Sequence, residues 1–409
     1  MKPNTSISIF HKPTYKAVSA VFLFLICFSL LSASIFWITQ GNTLGSDFYI
    51  FYLAGDAIHH HEDPYGDEIA EQAQRSVYKR LAKPEEDQLG FAYPPYALLP
   101  AIPFLFLPFE WAQAGWMALC ILLLASAVIY SSVRLRPLLL VSVFFFYPIS
   151  FGLILGNFAI PIASILLVCF SALSLQSGQR KSFQLLLGIL LAWTTCKPQF
   201  SWLFVLFLLL LAVRKKYYWV IVSFAFGLAL FLFSSFLILP GWHQSWYNRL
   251  SYYSEYNQTW LIITFFLMQI MSLQSAVFLT ILAGVTALGA TLWAGKRWWD
   301  GKTPDLSMLA WIALIIFLLH PRGKSYEQIT YLIPLIFWVC RQKKFWSWSV
   351  SIPWLGMMLL FGVTFLVSLT PNQPATLIEW PLAGFILWLI WLLITSNPRP
   401  EVKSWQPTQ

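Results

Sequence analysis

The sequence predicts an all-α polytopic membrane protein: one integral domain of about twelve transmembrane helices, with a long extracytoplasmic loop after the first. Three observations carry this. The 409 residues are 58% hydrophobic and 18% aromatic but only 11% charged, less than half of the roughly 25% charge of a soluble domain. The apolar residues fall into runs near the roughly 20 that a helix needs to cross a bilayer core. The basic residues, finally, concentrate in alternate loops between those runs. A water-soluble fold is excluded, and no nucleic-acid partner is inferred from the net charge of +9, because in a membrane chain the distribution of charge between faces matters more than its sum.

The first run, 17–38, follows Lys2, Lys12 and Lys16 and exceeds the roughly 7 to 15 residues of a signal-peptide core. Bulky Ile35, Phe36 and Trp37 stand directly after the small Ser32, Ala33 and Ser34, so a retained helix is expected rather than a cleaved signal. Residues 39–110 form the extracytoplasmic loop with its interfacial helices. It is polar to about residue 93, with a weakly amphipathic segment at 67–82, and then apolar over 94–107. Pro94, Pro95, Pro100 and Pro103 suit that last stretch to an interfacial or half-inserted helix, not a span. The remaining helices occupy 111–396, near 111–132, 137–155, 158–175, 183–197, 199–213, 218–239, 274–295, 305–320, 328–341, 345–367 and 379–396, and 397–409 is a cytoplasmic tail.

Charge tests this layout, since adding or dropping one span inverts every later loop. With the N-terminus cytoplasmic, the inner segments hold 18 of the 26 basic residues and the outer ones 14 of the 17 acidic residues. Both termini are therefore expected in the cytoplasm, in a multi-pass protein of the plasma (inner) membrane. The cysteines, Cys27, Cys120, Cys169, Cys196 and Cys340, sit in or beside apolar runs without metal-ligand spacing, and fit small buried hydrophobes.

Signatures of soluble enzymes are absent: no Walker A, no GxGxxG after a strand, no HExxH, no GxSxG. Polar groups near membrane depth carry the information instead, because they are costly there unless they line a cavity or face water. Asp47, about nine residues past the first span and followed by Phe48, Tyr49, Phe51 and Tyr52, fits a general base or an N-cap of the helix starting at Phe48. Asp56 lies nine residues on, roughly 180° around a continuous helix at about 100° per residue. His59, His60 and His61 point too far apart on a helix to share one ion and suit a solvated loop end. Lys197, between two apolar runs, fits contact with an anionic group or a lysine snorkelling to the interface. The outward turn with His320, Arg322, Lys324, Tyr326, Glu327 and Gln328 concentrates cations where the charge rule does not require them, and phosphate binding supplies a reason. The outward loop 240–260 combines Arg249 with Trp and Tyr residues that suit either sugar faces or an interface belt. Asn157 fits a hydroxyl contact or a helix cap.

Taken in order, Ser46-Asp47-Phe48-Tyr49, Asp63-Pro64-Tyr65, Phe91-Ala92-Tyr93-Pro94-Pro95, Gly156-Asn157, Lys197-Pro198 and the turn from Pro321 to Gln328 before Pro334 resemble the polyprenyl-phosphate-sugar-dependent glycosyltransferases of family 87, members of the GT-C superfamily. The resemblance covers roughly residues 40–335. It implies a GT-C-like helical bundle that moves a sugar, mannose as the first guess, from a polyprenyl-phosphate-linked donor to a glycolipid or glycan acceptor, with inversion. Asp47 matches the acidic residue that deprotonates the acceptor hydroxyl. Lys197, Arg322, Lys324 and His320 would hold the donor phosphate, with Tyr49, Asp56, Tyr93, Asn157, Arg249 and Tyr326 contributing to substrate binding. This sequence departs from the family at Gln328, where some members carry histidine, and His320 is the substitute nearby. No metal or other cofactor is expected, since a monophosphate leaving group does not demand one. The rival class is a secondary transporter or lipid flippase of cell-envelope precursors. Against it stand the lack of an internal repeat and the long outward loop.

Overall fold

The computed structural model describes residues 13–84, 86–134, 136–175, 180–256, 261–318, 325–368 and 380–395. Among these every extended regular element is a helix. In order come α1 (Pro13–Thr39), α2 (Ser46–His59), α3 (Asp67–Tyr78), α4 (Ile102–Leu105), α5 (Phe109–Ser131), α6 (Pro137–Val143), α7 (Tyr147–Leu155), α8 (Ala159–Leu175) and α9 (Lys181–Thr194). Then follow α10 (Pro198–Arg214), α11 (Tyr218–Ile238), α12 (Trp242–Tyr256), α13 (Ile262–Met268), α14 (Leu273–Trp299), α15 (Asp305–Leu318), α16 (Ile329–Arg341), α17 (Trp348–Ser368) and α18 (Trp380–Thr395). Short 3-10 turns lie at Pro95–Leu98 and Ser325–Gln328.

Each expected span coincides with a helix or a pair of helices. Among the described residues α1, α5, α11, α14 and α17 are long and apolar enough to cross a membrane, and α6 with α7 makes a sixth if the pair is one broken span. Shorter apolar helices account for α8, α9, α10, α15 and α18. The 137–155 segment is not one helix as expected: its halves meet at 66°. The cause is Pro148. Its ring nitrogen has no hydrogen to donate to the carbonyl of Phe144, and the Ser150 hydroxyl donates to that carbonyl instead, at 2.6 Å.

The loop after α1 also differs in detail. Instead of one interfacial helix, 94–107 folds as the 95–98 turn and α4, interrupted at its prolines, with Tyr96, Leu98 and Phe104 buried. The aromatic segment 240–260, expected as a loop, is α12 over most of its length.

The chain divides into two compact units. The first comprises residues 1–126, 153–161 and 235–256; the second comprises 127–152, 162–234 and 257–409. In the first, α3 buries Ile69, Ala70, Ala73 and Gln74 along one face, the spacing of an amphipathic helix. The core of this unit is a chain of rings: Phe48 on Trp116 at 5.2 Å, Trp116 on Phe158 at 4.5 Å and Phe158 on Phe51 at 3.7 Å. In the second, α15 and α16 are buried along nearly their whole length, as helices apolar on every side should be.

Candidate active site

In the first unit, the backbone leading into α2 is fixed by Gln113 of α5. Its Oε1 accepts from the Gly45 N–H at 3.2 Å, and its Nε2 donates to the Asn42 carbonyl at 2.9 Å. Gly45 is the N-cap, with no side-chain cap. Of the two roles open for Asp47, the cap is thus filled by another residue. Asp47 stands in the first turn of α2, half-buried, where a carboxylate also meets the positive end of the helix dipole. Its Oδ2 accepts from Asn157 Nδ2 at 2.6 Å.

Asn157 takes the capping role the sequence allowed, and its second contact is to Asp47. While its amide nitrogen holds Asp47, its Oδ1 accepts from the Ala159 N–H at 2.8 Å and so caps the start of α8. The amide is 2% exposed and its position is set by Gly156. That glycine has φ +68°, a left-handed conformation costly to residues with a Cβ. Its carbonyl accepts from Trp116 Nε1 at 2.7 Å. A Cβ at 156 would come within 2.6 Å of Phe48 Cβ, so the Gly156-Asn157 turn is pressed directly onto α2.

Tyr49 and Tyr93 join this neighbourhood. The Tyr49 ring meets Phe109 edge-on at 4.5 Å and its hydroxyl lies 3.0 Å from Ser76 Oγ. Tyr93 packs on Phe51 at 4.7 Å. Asp56 is at the far end of α2, exposed, with its carboxylate 3.6 Å from the His60 ring. The histidines 59–61 are exposed there as well, and among the described residues no cluster of three or more His, Cys, Asp or Glu side chains is arranged to hold a metal. Arg249, on α12, is buried and ties that helix to the start of α3: Nη1 lies 3.2 Å from Asp67 Oδ1 and Nη2 donates to the Gly66 carbonyl at 3.1 Å. At the other end of α3 burial pushes the Tyr78 phenol up to about 12, aided by the negative charges of Asp87 and Glu86 and, least, of Asp47.

In the second unit Lys197 precedes α10 and is 2% exposed. It does not snorkel outward. Its Nζ lies 2.9 Å from Glu327 Oε1 and 5.1 Å from the centre of the Tyr326 ring. Gln328, at the position where some family members carry histidine, is buried, and its Oε1 accepts from the Tyr147 hydroxyl at 3.4 Å. His320, Arg322 and Lys324 lie outside the described residues. Glu327 is the member of this cluster that sequence reasoning missed. The signal was present, a lone acid in an otherwise cationic turn, because a buried lysine needs a counter-charge.

The sequence model of glycosyltransferase family 87 matches residues 91–321, more than half of the chain. The matched region holds Tyr93, Asn157, Lys197 and Arg249 and stops short of Tyr326 and Glu327, while Asp47 precedes it. No curated protein and no solved structure matches. A helical membrane chain whose ordered motifs anticipate this family, and whose sequence meets the family model over most of its length, is a glycosyltransferase and belongs to glycosyltransferase family 87.

Proposed function

We propose that the protein transfers a sugar, mannose as the first candidate, from a polyprenyl-phosphate-linked donor to a hydroxyl of a glycolipid or glycan on the outer face of the plasma membrane. About twelve spans, with both termini in the cytoplasm, hold Asp47 on that face. The observation that carries the reading is the 2.6 Å bond from the Asn157 amide to the Asp47 carboxylate, within a wall of packed rings. A base must present its oxygen in one orientation before the acceptor arrives. The amide supplies that orientation, and the left-handed turn at Gly156 keeps the amide in place.

The step is a single displacement. Asp47 takes the acceptor hydroxyl proton as that oxygen bonds to the anomeric carbon from the side opposite the phosphate. The bond from the anomeric carbon to the phosphate oxygen breaks, its electron pair leaves with polyprenyl phosphate, and the configuration inverts. Lys197 is assigned to the phosphate, where charge grows as that bond breaks. Glu327 offsets part of its charge, so Arg322, Lys324 and His320 are assigned the remaining stabilisation. Tyr49, Tyr93, Tyr326 and Arg249 are assigned to the sugars, the tyrosine rings against their faces. Asp56 is the reserve base if Asp47 proves dispensable.

The test is transfer of radiolabel from polyprenyl-phosphate mannose, glucose, galactose or arabinose by purified protein in nanodiscs. Asp47→Asn keeps the shape and the Asn157 contact but loses the base, so the rate falls by about 10²-fold or more while donor binding persists. Near-wild-type turnover by Asp47→Asn removes the base from the proposal. Solute uptake without transfer in proteoliposomes replaces the whole reading with a transporter.

A further inference from the structure

A cavity lies in the second unit, far along the chain from Asp47 and unused by the chemistry above. The turn between α5 and α6 faces the turn between α16 and α17 across a cavity of about 580 Å³, and among the described residues its lining includes Arg136, Lys343 and Lys344 but no acidic residue. Its walls include Leu138, Phe345 and Trp346. Trp346 is 67% and Leu138 55% exposed, so the apolar wall is open to whatever surrounds the protein.

Arg136 is the built part of the site. One arm of its guanidinium, Nη2, donates to the carbonyls of Gln342 and, at 3.0 Å, of Lys343, which holds the second turn in place. The other arm, Nη1, is buried and has no hydrogen-bond partner among the described residues. The guanidinium, held in place through Nη2, puts a fixed positive charge beside the cavity that Arg136 lines. The two exposed lysines supply further charge beside it. Cations without acids select an anion; apolar walls beside them select one that carries hydrocarbon.

We infer that this cavity binds the phosphate head group of an anionic phospholipid, with its acyl chains along Leu138 and Trp346. The charge rule predicts these turns on the cytoplasmic face, where anionic lipid is attracted to basic clusters beside membrane helices. The site requires neither Asp47 nor the donor, and its test stands apart from that of the transferase reading.

The experiment uses the full chain, delipidated in a neutral detergent, and follows binding of fluorescent phosphatidylglycerol, with phosphatidylcholine and inorganic phosphate as separate competitors. Phosphatidylglycerol binds saturably and is displaced by unlabelled phosphatidylglycerol, not by phosphatidylcholine. Lys343→Gln with Lys344→Gln, both exposed and so neutral to folding, weakens binding roughly tenfold or more, and added salt weakens the wild type toward the variant. Arg136→Gln weakens it further, but can also loosen the turn that Arg136 holds, so the lysine pair decides. Equal competition by phosphatidylcholine, or unchanged affinity in the double-lysine variant, overturns the site. Displacement by millimolar inorganic phosphate as effective as by the lipid overturns the lipid and leaves an anion site only.

Discussion

Lys197 and Glu327 are side chains 2% and 13% exposed, 2.9 Å apart. Removing one partner of a buried pair strands the other charge, at a cost of about 3 to 5 kcal/mol. Lys197→Gln is therefore expected to lower the thermal midpoint in detergent sharply, and Glu327→Gln to do the same. The double substitution removes both charges and keeps polar groups of similar size, so most of the stability returns. If Lys197 also binds the donor phosphate, that stable double variant still fails to transfer sugar. A double variant that is both stable and active confines the pair to a structural role, whereas single variants as stable as the wild type show that the pair carries little. The contrast also explains what one residue string discloses. The lysine stands out in an apolar run, but its partner lies 130 positions away, and pairing at that range depends on how α10 meets the 325–328 turn.

At the scale of elements, the Gly156-Asn157 turn joins α7 to α8 and presses on α2. Gly156→Ala adds a Cβ 2.6 Å from Phe48 Cβ at a φ of +68°. The backbone cost alone is about 1 to 2 kcal/mol, and the clash adds to it while pushing Asn157 off Asp47. Gly241 is the control, with φ +82° and nothing within 4 Å of an added Cβ. Gly241→Ala is expected to lower the melting midpoint modestly and leave transfer intact; Gly156→Ala should reduce both, and equal effects of the two would show that the contact with Phe48 carries nothing. A second prediction belongs to the turn after α3. Arg80 grips Glu86 with two bonds of 2.7 Å, and the Lys83 N–H donates to the same carboxylate at 2.8 Å, which lowers the Glu86 carboxyl to about 2. A carboxylate lowered in the folded state contributes stability above its unfolded value, and that contribution fades as pH falls through the folded one. Amide protection at Lys83 should therefore exceed that of Glu86→Gln at pH 6, with the gap closing between about pH 4.5 and 2; a gap independent of pH would exclude the ion pair. Here the legibility of the chain was uneven. The apolar helices were plain because apolar length is a local property. α12 was mistaken for a loop although Trp242, Trp246, Arg249 and Tyr253 recur at helical spacing, because its inward face mixes rings with a cation that only Asp67 and the Gly66 carbonyl explain.

For the whole molecule, sidedness was inferred from charge alone, and contacts within each unit bear on it independently. In the second unit Arg214 bonds Asp305 at 3.0 Å, which joins the turn after α10 to the start of α15, and Arg136 holds the turn after α16. All four segments were assigned to the cytoplasmic face. Lys197 and Glu327, both assigned outward, meet each other. In the first unit Asp47 meets Asn157, and Trp246 donates to the Ala92 carbonyl at 3.1 Å; these too were assigned to one face, the outer. The parity is most exposed at the α6–α7 bend, because a re-entrant pair would return the chain to the side it came from. Asn157, just past α7, would then lie opposite Asp47, and the 2.6 Å bond between them could not form. The bent pair is therefore expected to cross. The measurement is thiol labelling in intact cells, in a Cys27→Ser background, since the other four cysteines are buried. Gln72→Cys, on the exposed side of α3, should react with a membrane-impermeant maleimide at once. Thr303→Cys, between α14 and α15, should react only after permeabilisation, because an even number of crossings separates it from the N-terminus. Labelling of Thr303→Cys from outside would mean that the parity has slipped by one span before α15, with α6–α7 the first place to look.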